Sequence, residues 1–145
     1  MIYIVDGTEK FTDGSKAAEY ITENMGDSAY ADMLDECYGD IDICGYSYSA
    51  SIAFERVDEI AYRCGRNDYY DSLSRDISYD IGRMYDEETA EFYGFEVEAY
   101  DDDYLEDQIN DLKEEIADAE GEDVSEMETE LQELINQLNT LREGI

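Results

Sequence analysis

Apolar positions fall in short clusters over residues 1–100 and in one regular seam over residues 101–145. Ile2-Tyr3-Ile4-Val5 is a continuous apolar run stopped by Asp6-Gly7, which predicts a short buried strand. Asp13-Gly14-Ser15 opens a helix that runs to about Met25, with Ala18 and Ile21 facing inward. Ser28 is placed to cap a second helix, in which Ala29, Met33, Leu34 and Cys37 recur at helical spacing until Gly39 ends it. Ile41 and Ile43, followed by Tyr46 to Tyr48, predict a second strand or hairpin. A third helix carries Ala53, Val57, Ile60, Ala61 and Cys64 on one face and ends at Gly65. Asp68 caps a fourth, with Tyr70, Leu73, Ile77, Ile81 and Met84 along it. Phe95, Val97 and Ala99 alternate with Glu96, Glu98 and Tyr100, as in a half-buried strand.

The rhythm changes at Asp101-Asp102-Asp103. Leu105, Ile109, Leu112, Ile116 and Ala119 are spaced four-three-four-three, the seam of a heptad pattern. The pattern breaks at Glu120-Gly121-Glu122-Asp123 and resumes as Met127, Leu131, Leu134, Leu138 and Leu141, with Ile145 four further on. Ser125 and Glu128 fit a capping box at the restart. Two equal seams around a glycine-containing turn predict an antiparallel αα-hairpin; one continuous helix with a stutter is the alternative. The fold class is therefore α+β: a small mixed body over residues 1–100, with short strands and about four helices, then a helical hairpin over 101–145. Ile135 and Ile145 widen the stripe of the last helix, which leaves it room to pack on the body or to form a homodimer seam.

Charge changes the picture most. Forty-one Asp and Glu oppose nine Lys and Arg, a formal charge of -32. A chain that is 43% hydrophobic, with 14 Tyr and 4 Phe, can still bury a core, so a folded protein is expected. Such charge repels nucleic acid and anionic membranes and favours a basic protein as partner. It is also uneven: residues 86–130 hold 21 acids and one base, Lys113. Seven acids of the first hairpin helix, Asp103, Glu106, Asp107, Asp111, Glu114, Glu115 and Asp118, span ~22 Å at ~1.5 Å per residue. That is one carboxylate every ~3–4 Å, against ~3.4 Å between charges on one DNA strand. These acids lack compensating bases at i±4, so the arrangement costs local stability, as functional surfaces often do. A solvated helix face and adaptation to high salt are the bland alternatives; plentiful Ile and Tyr and an uncharged polar surface on the distal half of the last helix (Gln132, Asn136, Gln137, Asn139, Thr140) speak against the second.

Catalytic and metal chemistry find little support. The absence of His removes Ser-His-Asp, Cys-His and His-metal arrangements. Cys37, Cys44 and Cys64 form no C-x-x-C pair and are expected as small buried residues in a reducing cytosol. Met1 to Asp6 carries no basic segment of a signal peptide, which points to a cytoplasmic protein. Asp40-x-Asp42-x-Cys44-Gly45 resembles a calcium loop, but Ser51 stands where a bidentate Glu is required; counting from Asp101, Leu112 stands there. No phosphate-binding or nucleophile-elbow motif occurs, and neither cofactor nor metal is expected. Arg56, Arg63, Arg66, Arg75 and Arg83 are expected to pair with neighbouring carboxylates, and Tyr62, Tyr70 and Tyr79 to lie in or near the core.

In size, extreme charge, acidic helices and tyrosine content the chain resembles the DNA-mimic inhibitors of phages and mobile elements, which include many anti-CRISPR and antirestriction proteins. The resemblance implies steric occupation of a duplex-binding cleft with no chemistry of its own, and a CRISPR nuclease as the partner. The candidate contact residues are Asp86, Glu87, Glu88, Glu91, Glu96, Glu98, Asp101, Asp102, Asp103, Glu106, Asp107, Asp111, Glu114, Glu115 and Asp118, with Tyr100 and Tyr104 as aromatic anchors. Reversing several of Asp101, Asp102, Asp103, Glu106 and Asp107 to Lys is expected to abolish inhibition without unfolding. The rivals are an antirestriction mimic, an acidic dimeric adaptor that sequesters a basic protein, and an enzyme with a carboxylate-only site.

Overall fold

A computed structural model describes residues 1–145. The body comprises β1 (Ile2–Val5), β2 (Glu9–Phe11), α1 (Gly14–Asn24), α2 (Ser28–Tyr38), β3 (Asp40–Ile43), β4 (Tyr46–Ser49), α3 (Ala50–Val57), α4 (Glu59–Gly82), β5 (Thr89–Phe92) and β6 (Phe95–Tyr100). The helical hairpin, α5 (Asp102–Asp118) and α6 (Ser125–Arg142), follows. The α+β class and the C-terminal helix pair are as expected, with four helices in the body. The strands form a four-stranded antiparallel sheet in the order β2-β1-β6-β5 and a separate β3-β4 hairpin.

The alternation of β1 and β6 sends side chains to both faces of the main sheet. Tyr3, Val5, Val97 and Ala99 face α1 and α4, where they bury Ala17, Ala18, Ile21, Leu73, Ile77 and Ile81. Val5, Ile21, Ile81 and Val97 are fully buried, each contributing about 1.5–3 kcal/mol by leaving water. The other face is covered by the hairpin: Ile2 packs with Leu105 and Leu141, flanked by Ile4, Tyr100, Leu134 and Leu138. Lys10, directly opposite Ile4 on the neighbouring strand, reaches the C-terminal end of α6 and donates to the carbonyls of Thr140 and Glu143, the latter at 3.0 Å. The sheet is thus sandwiched between α1/α4 and the near ends of α5/α6.

Several local expectations need correction. The third helix does not run from Ala53 to Gly65. It breaks at Asp58, whose extended backbone ends α3 and whose carboxylate accepts from Ala61 N at 3.0 Å to start α4. Val57 and Ile60, beside the break, are exposed rather than inward. The chain then stays helical through Gly65, and Asp68 lies inside α4 rather than capping a helix. Gly65 provides clearance: a Cβ there would overlap the Tyr30 hydroxyl and stand 3.2 Å from its ring carbon. Tyr30 is held by the rings of Tyr62 and Tyr69 at centroid distances of 5.2 and 5.7 Å. The short strands β2 and β5 were not predicted, because their residues become strands only through pairing with β1 and β6.

At the start of α6 no Ser125–Glu128 box forms: the N-cap position is Val124, which offers no capping side chain, and the carboxylate of Asp123 just before it accepts from the Ser125 backbone N–H at 3.0 Å and from the Ser125 hydroxyl. Ile145 lies beyond the end of α6 and is exposed, so it does not extend the seam. Cys37, Cys44 and Cys64 are all exposed, not buried. Of the five body arginines only Arg63 forms an ion pair, with Glu59 at 3.0 Å, while Arg83 lies over the ring of exposed Tyr79 at 5.4 Å.

Candidate protein-interaction face

The acidic residues reach one side of the molecule by three routes. Asp86, Glu87 and Glu88 lie in the loop between α4 and β5. Glu91 and Glu96 sit directly opposite each other on β5 and β6, and Glu98 pairs across from Ile4. By register, Glu91, Glu96 and Glu98 share the sheet face on which the hairpin packs. Asp101 then begins α5, whose seam residues Leu105, Ile109 and Leu112 are buried. Helical geometry therefore turns Asp103, Asp107, Asp111, Glu114, Glu115 and Asp118 to solvent, where all six are exposed.

The structure divides the candidates into those that hold the fold and those that are free. Asp101 caps α5, accepting from Tyr104 N at 3.0 Å, and its own N–H donates to Asp86 at 2.7 Å. Glu88 accepts from Tyr85 N at 2.7 Å. Asp102 is half-buried; its Oδ1 is 3.0 Å from the Met1 amino nitrogen and its Oδ2 is 3.1 Å from Arg142. Burial pushes the Asp102 pKa up, but the hydrogen bonds from Met1 and Arg142 outweigh it and hold the carboxyl below its ordinary value. Arg142 also binds Glu106 at 2.9 Å and approaches Asp103 at 3.8 Å. Lys reversals at Asp101, Asp102 and Glu106 would therefore strike a helix cap and the Arg142 ion pairs, so an intact fold is not expected when these three positions are reversed.

Asp107, Asp111, Glu114, Glu115 and Asp118, by contrast, take part in no ion pair within 4.0 Å. Tyr104 is 54% exposed at the head of this row and offers apolar area beside charge. Tyr100 is half-buried rather than exposed; its hydroxyl donates to Glu98 at 2.7 Å, and that bond, with burial and nearby Glu87 and Asp86, raises its pKa.

A groove with two adjoining lobes runs along the hairpin. The first, about 320 Å³, is lined by Asp86, Glu87, Tyr100, Asp101 and Tyr104 on one side and by Leu134, Gln137 and Leu141 of α6 on the other. The second, about 550 Å³, continues past Tyr104 and Gln108 to Asp107, Asp111, Glu115 and, from α6, Glu130. Gln108 and Glu130 were missed as site residues, although their places beside the two heptad seams could have marked them. Glu87 adopts φ 62° at the rim, a backbone conformation that costs a non-glycine residue energy.

The groove is suited to accept charge-assisted hydrogen bonds from Arg and Lys while apolar stems lie on Tyr104 and Leu134. Asp101, Asp102 and Asp103 bring carboxylate oxygens within 4.8 Å of one another, but two of the three are already engaged as cap and ion pair. No helix is long and apolar enough to cross a membrane. No protein-family model, curated protein or solved structure matches this chain.

Proposed function

We propose that this protein is a non-catalytic DNA mimic that enters the nucleic-acid-binding cleft of a CRISPR effector nuclease and blocks target DNA. The observation that carries the reading is the unpaired row Asp107, Asp111, Glu114, Glu115 and Asp118 along the exposed side of α5. A helix that only needed solubility would intersperse Lys and Arg, since like charges at i and i+4 each cost a few tenths of a kcal/mol. A basic channel repays that cost: each carboxylate replaces a phosphate, and association is fast and weakened by salt. The acidic groove with Tyr104 and Leu134 supplies the apolar contacts that charge pairs alone do not. An antirestriction target would use the same surface and differs only in which nuclease is bound.

The test replaces Asp107, Asp111, Glu114, Glu115 and Asp118 together by Lys, leaving cap, ion pair and seam intact. Purified guide-loaded CRISPR effectors and restriction enzymes are assayed for binding, with and without competing duplex DNA. The expected result is a wild-type complex displaced by duplex, and binding at least about a hundredfold weaker for the variant at physiological salt. Undiminished binding by a folded variant removes the row from the mechanism. Binding that duplex cannot displace favours the adaptor reading instead.

A further inference from the structure

The body carries a second surface that the acidic row does not explain. In the β3–β4 hairpin Ile41 is directly opposite Tyr48 and Ile43 opposite Tyr46, which puts all four on one face; Asp40, Asp42, Ser47 and Ser49 occupy the other. That apolar face stands against α2 and α3, and the space between is an open cleft of about 620 Å³ whose walls are entirely hydrophobic. Met33 and Cys37 line it from α2, Phe54 and Val57 from α3, and Ile41 and Ile43 from the hairpin. Val57 is 78% exposed, and Ile41 and Ile43 are 37% and 42% exposed. An isolated two-stranded hairpin is marginal in water, and a contiguous apolar surface of this kind marks an interaction site.

Charge decides what fits. Residues 27–59 hold nine Asp and Glu against Arg56 alone. Asp40 and Asp42 lie on the hairpin's other face, and Asp35, Asp58 and Glu59 are engaged by Ser51, Ala61 and Arg63, which leaves Asp27, Asp32, Glu36 and Glu55 unpaired on the helices around the cleft. A second copy of this chain would bring another -32 to the contact, and an anionic lipid surface or nucleic acid would be repelled in the same way. We propose that the cleft docks an amphipathic basic helix of a partner protein, its apolar ridge in the cleft and its Lys and Arg against the acidic surroundings. This site is separate from the α5 row and does not depend on the reading of that row.

The native cysteines report on it. Cys37 lines the cleft, whereas Cys64 is exposed outside it. The probe is a designed helical Leu/Lys peptide, compared with a charge-matched Ser/Lys peptide at about 0.5 M NaCl, where screening within ~4–5 Å removes most nonspecific attraction. Alkylation of Cys37 is expected to slow about tenfold at 90% occupancy by the Leu/Lys peptide, with Cys64 unaffected. The Ser/Lys peptide is expected to protect neither thiol. Ile43→Asn and Val57→Asn, both at exposed positions, are expected to weaken protection, and the five-Lys variant of α5 to retain it. Equal protection by the two peptides, no protection of Cys37, or a concentration-dependent dimer that itself shields Cys37 would each overturn the proposal.

Discussion

The Tyr30 hydroxyl occupies the space into which a side chain on Gly65 would project. This one contact turns a helix-breaking residue into a requirement of the longest helix. Ala is the better helix former by about 1 kcal/mol, yet Gly65→Ala is expected to destabilise the protein by about 1–2 kcal/mol. Tyr30 cannot yield cheaply, because it is buried and packed by Tyr62 and Tyr69. Urea unfolding of Gly65→Ala, alone and with Tyr30→Phe, checks this; the double variant should recover part of the loss. A Gly65→Ala protein more stable than the parent would contradict the packing argument.

Asp35 of α2 caps a different helix. Its Oδ1 accepts from Ser51 N at 2.9 Å and its Oδ2 from Ser51 Oγ at 3.1 Å, at the first turn of α3. Asp35→Ala is expected to cost about 1–2 kcal/mol and to loosen the wall of the apolar cleft. Thermal unfolding gives the first effect, and faster amide exchange in α3 than in α4 gives the second.

The depressed pKa of Asp102 fixes the sign of a pH effect. A carboxyl held below its unfolded value stabilises the fold above that value and loses the contribution as pH falls through the folded pKa. Asp102→Asn is therefore expected to be less stable than the parent at pH 7, with the gap closing below about pH 4. Comparing the two proteins at each pH cancels the general relief of repulsion as other carboxylates protonate. A gap that stays constant to pH 2 would mean that the ionised form of Asp102 is not what counts.

Salt should act in opposite directions on folding and on partner binding. Raising NaCl from about 0.01 to about 1 M shortens the screening length from ~30 to ~3 Å. The Tm of the free protein is expected to rise, because the -32 repulsion is screened, while any complex made through α5 weakens. Differential scanning calorimetry and a binding isotherm across the same salt series test both. A Tm insensitive to salt would show that the repulsion is already relieved in the fold.

Some of this architecture is written locally in the chain. The four-three spacing of Leu105 to Ile116 and of Met127 to Leu141 determines the helical hairpin, because it keeps one face apolar through successive turns. Asp13 before α1 and Gly39 after α2 mark their helix ends by cap chemistry and by a backbone at φ 64°. The density of carboxylates along α5 is likewise legible, since rise per residue is a property of the helix alone. Other features depend on partners distant in sequence. Glu9–Phe11 and Thr89–Phe92 are strands because Tyr3 and Val97 lie beside them. Position 65, inside α4, has no room for a side chain because Tyr30 packs against it, and the three thiols are exposed although cysteine is usually buried. Above all, the sequence determined how much negative charge this protein carries. Only the tertiary structure decided that Asp102 is tied to Arg142 while Asp107, Asp111, Glu114, Glu115 and Asp118 have no such partner, because hydrogen bonds across 40 residues are set by packing, not by local pattern.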